Sequence, residues 1–331
     1  MDERTLIRTY FDRPTGAAGG HPEVLLGIGD DAAILRPEPG YDLVVAIDTL
    51  VEGTHFPQGT PARAIGHRSL AVNLSDLAAM AAEPRWAVLA LAMPEAGEAW
   101  IREFADGLFA LADRHGVALV GGDTVRGPLA ATVTVHGRVR PGLGVRRSGA
   151  QPGDGIWVTG HPGDAVAGRL QLAAARERGG HVSGQALEQT LERTARPLVE
   201  RFLFPEPRVR EGRDLASLAT AMLDVSDGLH DDLGKLMEAS DTGADLDIAC
   251  LPLSAALRAV YPADAIQHAL TGGDDYELCF TVPEANEARL AAVAAAWPVP
   301  VTRIGTVAAE TGVRWSLAGK PHPVGPAWQH F

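Results

Sequence analysis

The stretch that most constrains this chain is Ala221–Leu236, A-M-L-D-V-S-D-G-L-H-D-D-L-G-K-L. A short apolar run enters a turn and continues as a helix. Four carboxylates, Asp224, Asp227, Asp231 and Asp232, fall within nine residues. Ser226, between the first two, is a good N-cap residue. A helix beginning there puts Asp227 and Asp231 on one face at i, i+4, and Asp227 in the first turn suits the helix dipole. Two readings stand side by side. One is a capped helix with a solvated acidic face. The other is a divalent-cation site, because clustered oxygen ligands suit hard cations such as Mg²⁺.

Carboxylates recur at the ends of other elements. G-I-G-D-D-A at 27–32 matches G-x-G-x-x-A, and Asp48 stands where a dinucleotide fingerprint places its acid, about twenty residues on. That reading fails because Asp30 and Asp31 repel a pyrophosphate, and Pro37 and Pro39 stop a crossover helix. Leu43–Ile47 reads as a buried strand ending at Asp48, with His55 in the following loop. Residues 61–82 read as a helix carrying Asp76 beside Ala78, Ala79 and Met80. An ionised carboxylate on an apolar stretch is costly unless it is paired or metal-bound. Val117–Val120 reads as a strand running into G-G-D-T, with Gly121 and Gly122 allowing close backbone approach and Asp123 at the strand end. T-G-G-D-D-Y-E-L-C-F at 271–280 repeats that logic, with Asp274 after its own glycine pair and a strand over Glu277–Val282.

The remaining pattern predicts an α/β chain of α+β type in two domains. Strands are expected at 24–26, 85–93, 131–139, 156–159, 244–248 and 301–306. Helices are expected at 2–12, 96–115 (closed by Gly116), 165–178 and 284–296, with helical segments up to about 218 after a loop at 179–184. Residues 251–270 read as a turn and a polar stretch. The Gly-, Pro- and Arg-rich segment before Ile156 marks a boundary. It gives an N-terminal domain over 1–140, a linker over 141–155 and a C-terminal domain over 156–331.

Composition removes several function classes. A net charge of −13 argues against nucleic acid as a partner. No apolar run approaches the ~20 residues of a membrane span, and the N-terminus lacks a signal-peptide core, so no membrane role and a cytoplasmic location are expected. Cys250 and Cys279 are expected to be buried thiols, not a disulfide or a metal pair. The two lysines, Lys235 and Lys320, do not complete G-x-x-x-x-G-K-[ST], which excludes a P-loop. Phosphate handling therefore falls to arginine, backbone N–H groups and metal ions. Asp31, Asp48, Asp76, Asp123, Asp224 and Asp227 in one cleft would repel one another. Two or more Mg²⁺ ions remove the repulsion and attract a polyphosphate.

The motifs G-I-G-D-D-A-A-I-L, D-T-L-V-E-G-T-H-F, N-L-S-D-L-A-A-M, G-G-D-T, R-S-G-A-Q-P-G-D-G, V-T-G-H-P-G-D, D-V-S-D-G-L and G-G-D-D-Y-E-L-C-F stand in this order over nearly the whole chain. The chain thereby resembles the thiamine-monophosphate kinase family, part of the aminoimidazole-ribonucleotide-synthetase-like ATP-binding superfamily. The resemblance implies two α/β domains, N-terminal sheets paired in a homodimer, and ATP near that interface. It implies Mg²⁺-assisted in-line transfer of the ATP γ-phosphoryl group to thiamine monophosphate, giving thiamine diphosphate. It assigns Asp31, Asp48, Asp76, Asp123, Asp224 and Asp227 to metal. Arg147, Ser226 and the Gly121–Gly122–Asp123 turn go to ATP, and His55, Asp274 and Trp328 to thiamine monophosphate. Asp224, Asp227 and Arg147 carry the catalytic role.

Two positions depart from the family pattern. Ala46–Ile47 replaces a hydroxyl pair before Asp48, and Ala81 replaces a glycine. An acceptor phosphate has a second pKa near ~6, so it is already a nucleophilic dianion and needs no general base. The alternatives are another ATP-using synthetase of the superfamily, phosphorylating an amide oxygen, and a non-catalytic nucleotide-binding dimer. Selenophosphate and hydrogenase-maturation chemistry lack their cysteines at the required ends of the chain.

Overall fold

The computed structural model describes residues 2–16, 19–95, 97–177 and 193–325. The loop at 179–184 and Trp328 lie outside the described residues. After a short helix α1 (Glu3–Leu6) that continues as a π-turn to Phe11, a small hairpin-like pair forms from β1 (Val24–Leu26) and β2 (Ile34–Leu35). Four longer strands follow: β3 (Asp42–Val51), β4 (Glu83–Met93), β5 (Ala118–Arg126) and β6 (Ala130–Val139). They form a sheet in the order β3-β6-β4-β5, antiparallel except between β4 and β5.

Helices α2 (Ala62–Ala79) and α3 (Glu98–His115) lie together in the core behind this sheet. They touch backbone to backbone because both contacts are glycines. A Cβ on Gly66 would lie 2.0 Å from the Phe104 carbonyl oxygen, and one on Gly107 1.9 Å from that of Arg63. α2 is buried nearly all round, as expected of a helix enclosed by protein on every side. One hydrophobic core runs from Leu74, Leu77 and Phe104 through to Phe202, Leu278 and Phe280 in the second half. α2 is therefore shared by both halves.

The second half is built on a seven-stranded sheet. Its strands are β7 (Gly155–Thr159), β8 (Ala221–Val225), β9 (Gly243–Asp247), β10 (Glu277–Val282), β11 (Val301–Ala308), β12 (Gly312–Leu317) and β13 (Lys320–Pro321), in the order β13-β12-β9-β11-β7-β10-β8. Only β9 and β12 run parallel. Around it lie α4 (Asp164–Glu177), α5 (Arg196–Leu203), α6 (Val209–Leu215), α7 (Leu229–Ala239), α8 (Ala255–Val260), α9 (Ala265–Thr271) and α10 (Glu284–Ala294).

Several expectations need correction. β3 does not stop before Asp48 but runs on to Val51, so Asp48 lies within an edge strand. β5 likewise passes through G-G-D-T to Arg126, so Gly121–Asp123 is strand and not a turn. Gly122 is required because a Cβ there would sit 1.9 Å from the Leu89 carbonyl oxygen on β4. The polar stretch before Leu270 contains two helices, α8 and α9, and the β12–β13 hairpin follows the last expected strand. Cys250 is exposed, whereas Cys279 is buried. Ala81 takes the left-handed backbone (φ 56°) that a glycine adopts without steric cost.

Candidate active site

The end of β8 delivers the central carboxylates. Asp224 is buried and its Oδ2 accepts a hydrogen bond from Ser75 Oγ on α2 at 2.7 Å. The chain then turns through Ser226, Asp227 and Gly228 (φ 126°), and α7 begins at Leu229. Ser226 is not its N-cap, and no side chain caps at Gly228. Asp232 does that work from inside the first turn: its Oδ2 accepts the N–H groups of Ser226, Asp227 and Gly228 at 2.9, 2.9 and 3.2 Å. Asp227 precedes the helix, so it does not pair with Asp231 along a helical face. Instead Lys235 Nζ joins Asp227, Asp231 and Asp232 at 2.6, 2.9 and 2.8 Å. Asp232 is thus a buried structural group, not a solvated helix-face residue.

These elements enclose a cleft of about 330 Å³ between the two halves. Asp48 and His55 come from the β3 side, Asp76 from α2, Arg147 from the connecting segment, Asp224, Ser226 and Asp227 from β8 and its turn, and Asp274 from the segment before β10. His55 Nδ1 accepts the Val51 N–H at 2.9 Å, which leaves the proton on Nε2 when the ring is neutral. Eight of the residues expected at the site therefore share one cleft. The cleft also holds groups the sequence reading missed: Thr271, Tyr276 and Arg169. Arg169 lies on α4, and its Nε is buried with no hydrogen-bond partner among the described residues. Nothing in the local sequence A-V-A-G-R-L-Q distinguishes it from a surface helix arginine.

Charge in the cleft is unbalanced. Burial, reinforced by Asp224 and Asp48, pushes Asp76 up to about 8, with Arg147 opposing. Burial also pushes Asp224 up to about 6, helped by Asp232 and Asp48 and opposed by the Ser75 hydrogen bond and Arg147. Asp48 moves upward too, through burial and then Asp227, although its side chain still reaches solvent within the cleft. Oxygen-only donors that resist ionisation because they are buried and face one another suit a hard divalent cation such as Mg²⁺. Arg147 and Arg169, the arginines lining this cleft among the described residues, suit the anion such a cation carries.

Asp31, Gly121, Gly122 and Asp123 line a different and larger cavity of about 1150 Å³, between residues 27–33 and β5. Asp48 and Asp123 also face opposite ways. Asp48 is in register with Val133 and Leu89, whose side chains enter the core, whereas Asp123 is in register with Ala90, Thr132 and Thr49 one residue along. Strand side chains alternate, so the two carboxylates lie on opposite faces, three strand spacings or about 14 Å apart. Trp328 lies outside the described residues.

The cleft gathers carboxylates and arginines in a chain without a P-loop, and both halves match family models. Residues 29–139 match the AIR synthase related protein, N-terminal domain, and residues 151–316 match its C-terminal domain. The thiamine-monophosphate kinase of Escherichia coli (strain K12) is 45% identical over 327 residues, covering 96% of this chain and 94% of that one. The crystal structure of thiamine-monophosphate kinase from Stenotrophomonas maltophilia K279a superposes with a TM-score of 0.83 at 46% identity, covering 92% of this chain and 95% of that one. AaThiL complexed with AMPPCP and TMP superposes with a TM-score of 0.76 at 29% identity, covering 89% of each chain. The chain belongs to the thiamine-monophosphate kinase family.

Proposed function

We propose that this chain transfers the γ-phosphoryl group of ATP to thiamine monophosphate, giving thiamine diphosphate and ADP. One observation carries the reading. In a chain 45% identical over nearly its whole length to a thiamine-monophosphate kinase, four of the family's carboxylates share one cleft with Arg147 and with Arg169, whose buried Nε finds no hydrogen-bond partner among the described residues. Asp48, Asp76, Asp224 and Asp227 would hold Mg²⁺, which would supply positive charge to neutralise phosphate oxygens and lower the repulsion between two anions. Arg147 and Arg169 orient the ATP phosphates, and Ser226 contacts them at the turn. His55 and Asp274 face the acceptor, and the family pattern assigns Trp328, outside the described residues, to it as well. The acceptor phosphate oxygen forms a bond to Pγ as the bond from Pγ to the β,γ-bridging oxygen breaks, and ADP leaves. No side chain needs to remove a proton, because the acceptor phosphate is a dianion near neutral pH.

The chain works as a homodimer, divided into an N-terminal ATP-binding and dimerisation domain (1–140), a linker (141–155) and a C-terminal domain (156–331). The sheet face opposite α2 supports this. Leu43, Val45 and Ile47 on edge strand β3 are 51%, 54% and 62% exposed, and Val125 on the other edge strand is exposed too. A row of large apolar side chains on an open face fits a second copy. The dimer also resolves the divided carboxylates: Asp31 and Asp123 of one copy complete the Asp48–Asp76–Asp224–Asp227 cleft of the other. Among the described residues no helix is long and apolar enough to cross a membrane, and a cytoplasmic site of action gives access to ATP.

Incubation with Mg-ATP and thiamine monophosphate, free thiamine or no acceptor tests the reaction. ADP release only with the monophosphate is expected, and equal release in all three sinks the reading. Mixing inactive Asp123→Asn and Asp227→Asn variants tests the shared site. Mixed dimers regain activity if each site draws on both copies, and stay inactive if each copy is self-sufficient.

A further inference from the structure

α2 carries Arg68, Val72 and Asp76 at i, i+4 and i+8, one face of the helix. Val72 and Asp76 line the cleft. Arg68 is wholly buried one turn before Val72, yet it ends on a cleft residue: its Nη2 donates to Asp274 Oδ1 at 2.7 Å, with no solvent exposure at Arg68 and a fifth at Asp274. Its guanidinium is fixed on the other side by a hydrogen bond from Nη1 to the Phe202 carbonyl oxygen and by the Phe202 ring, 4.2 Å from Cζ.

The segment it grips is held against its own preference. Asp274 and Tyr276 both have left-handed backbones, at φ 71° and 51°. Such conformations persist in non-glycine residues only where the surroundings over-determine them. Here they do. The Asp274 N–H donates to Ser226 O at 2.9 Å and the Tyr276 N–H to Val225 O at 2.8 Å, tying the segment to the end of β8 that carries Asp224. Between them Asp275 is buried, accepting the N–H groups of Gly163 and Ala165 at 2.7 and 3.2 Å. Tyr276 Oη donates to the same Asp274 oxygen at 3.2 Å, so Oδ1 is occupied by Arg68 and Tyr276.

We propose that Arg68 is a positioning residue for the acceptor substrate: it aims Asp274 into the cleft and couples it through α2 to Asp76. Arg68 touches no substrate itself. It fixes which oxygen of Asp274 remains available and where that oxygen points. The α2 backbone then sets the spacing between the acceptor contact and the metal-holding carboxylate, since eight helical residues span about 12 Å. An arginine whose two Nη groups reach two different acceptors and whose plane lies over a ring does this better than lysine, whose ammonium has no fixed fork. The device joins the two halves of the chain at the point where donor and acceptor must meet in line. The inference rests on the kinase reading above.

Steady-state kinetics with Mg-ATP and thiamine monophosphate test it, using Arg68→Met, Arg68→Lys, Asp274→Asn and the Arg68→Met/Asp274→Asn double variant. Arg68→Met and Asp274→Asn are each expected to raise the acceptor KM by roughly tenfold or more while the ATP KM stays within about twofold. Arg68→Lys recovers part of the loss, and the double variant is no worse than Asp274→Asn alone, because both changes remove one interaction. If the two KM values rise together, or the single effects multiply, Arg68 is merely structural and the proposal fails. Should Arg68→Met not fold, Tyr276→Phe removes only the hydroxyl. A rise of roughly threefold confined to the acceptor KM and absent in the Asp274→Asn background supports the coupling, and an unchanged acceptor KM overturns it. A wild type that does not turn over the monophosphate overturns the kinase reading itself, a different result from either.

Discussion

Two groups of buried carboxylates lie in this molecule and behave in opposite ways. Around Glu277 on β10, burial is outweighed by cations. Arg208 donates to both carboxylate oxygens at 2.6 and 2.7 Å, Arg201 donates to one, and Thr159 Oγ1 adds a third donor at 2.6 Å. Burial alone would raise this carboxyl, but Arg201 and Arg208 pull it down to about 2. Around Asp76 and Asp224, the neighbours of a buried carboxylate are mostly other carboxylates, and the groups move up to about 8 and about 6. The first arrangement is complete within the chain. The second leaves its negative charges facing one another, with Arg147 as the opposing cation. Burial does not separate a structural acid from a functional one; the sign of the charge beside it does.

Substitution breaks the comparison most strongly. Asp224→Asn is expected to lower kcat by about 10³-fold or more, since on the proposed reading it removes an oxygen that holds Mg²⁺ beside the transferred phosphate. Its thermal stability in EDTA is expected to stay level or rise, because a repelled buried charge is gone while the Ser75 hydrogen bond keeps an acceptor. Glu277→Gln is expected to do the reverse. It leaves Arg201 and Arg208 uncompensated and costs roughly 3–5 kcal/mol of unfolding free energy, measured by denaturant titration. If both variants lose stability equally, the contrast is wrong.

Metal binding sharpens it next. At pH 7 a carboxyl held near 8 is largely protonated, so Mg²⁺ must displace that proton. Calorimetry in two buffers of different ionisation enthalpy is expected to show proton release on Mg²⁺ binding at pH 7. The release disappears in Asp76→Asn. Binding without proton exchange would place the metal elsewhere.

The smallest effect is on metal-free stability against pH. Asp76 and Asp224 have folded values above their unfolded ones, so in EDTA they oppose folding progressively as pH rises from about 4 toward 8. Glu277 is depressed, so its contribution is present above about 4.5 and is lost as pH falls toward about 2. Thermal melts across this range are expected to show wild-type stability declining toward pH 8 without Mg²⁺, with the decline reversed by adding it. The acid limb below pH 4.5 is expected to flatten in Glu277→Gln.

Much of the site is legible in the sequence because its chemistry is local. An aspartate at the end of an apolar run, or beside alanines on a helix, is anomalous wherever it lies, and Asp48, Asp76 and Asp224 are readable on that ground. The absence of a P-loop lysine is equally local. Asp232 was not readable, because its role is set by three backbone N–H groups that converge only once Gly228 turns the chain. Arg68 and Arg169 look like ordinary helix arginines until residues two hundred and one hundred positions away pack around them.

By itself, then, the sequence determined which residues are too costly to leave unpartnered, and that alternating α and β elements would carry them. Tertiary structure decided which of them meet. It ran β3 and β5 past Asp48 and Asp123, and strand alternation then turned those two carboxylates to opposite faces of one sheet. It also enclosed α2 between the two halves, so that one helix sets the distance between Asp76 and a loop two hundred residues on. Spacing along a strand or helix is fixed by local geometry, but the partner across a gap is fixed only by packing, and the function of this chain lies in those gaps.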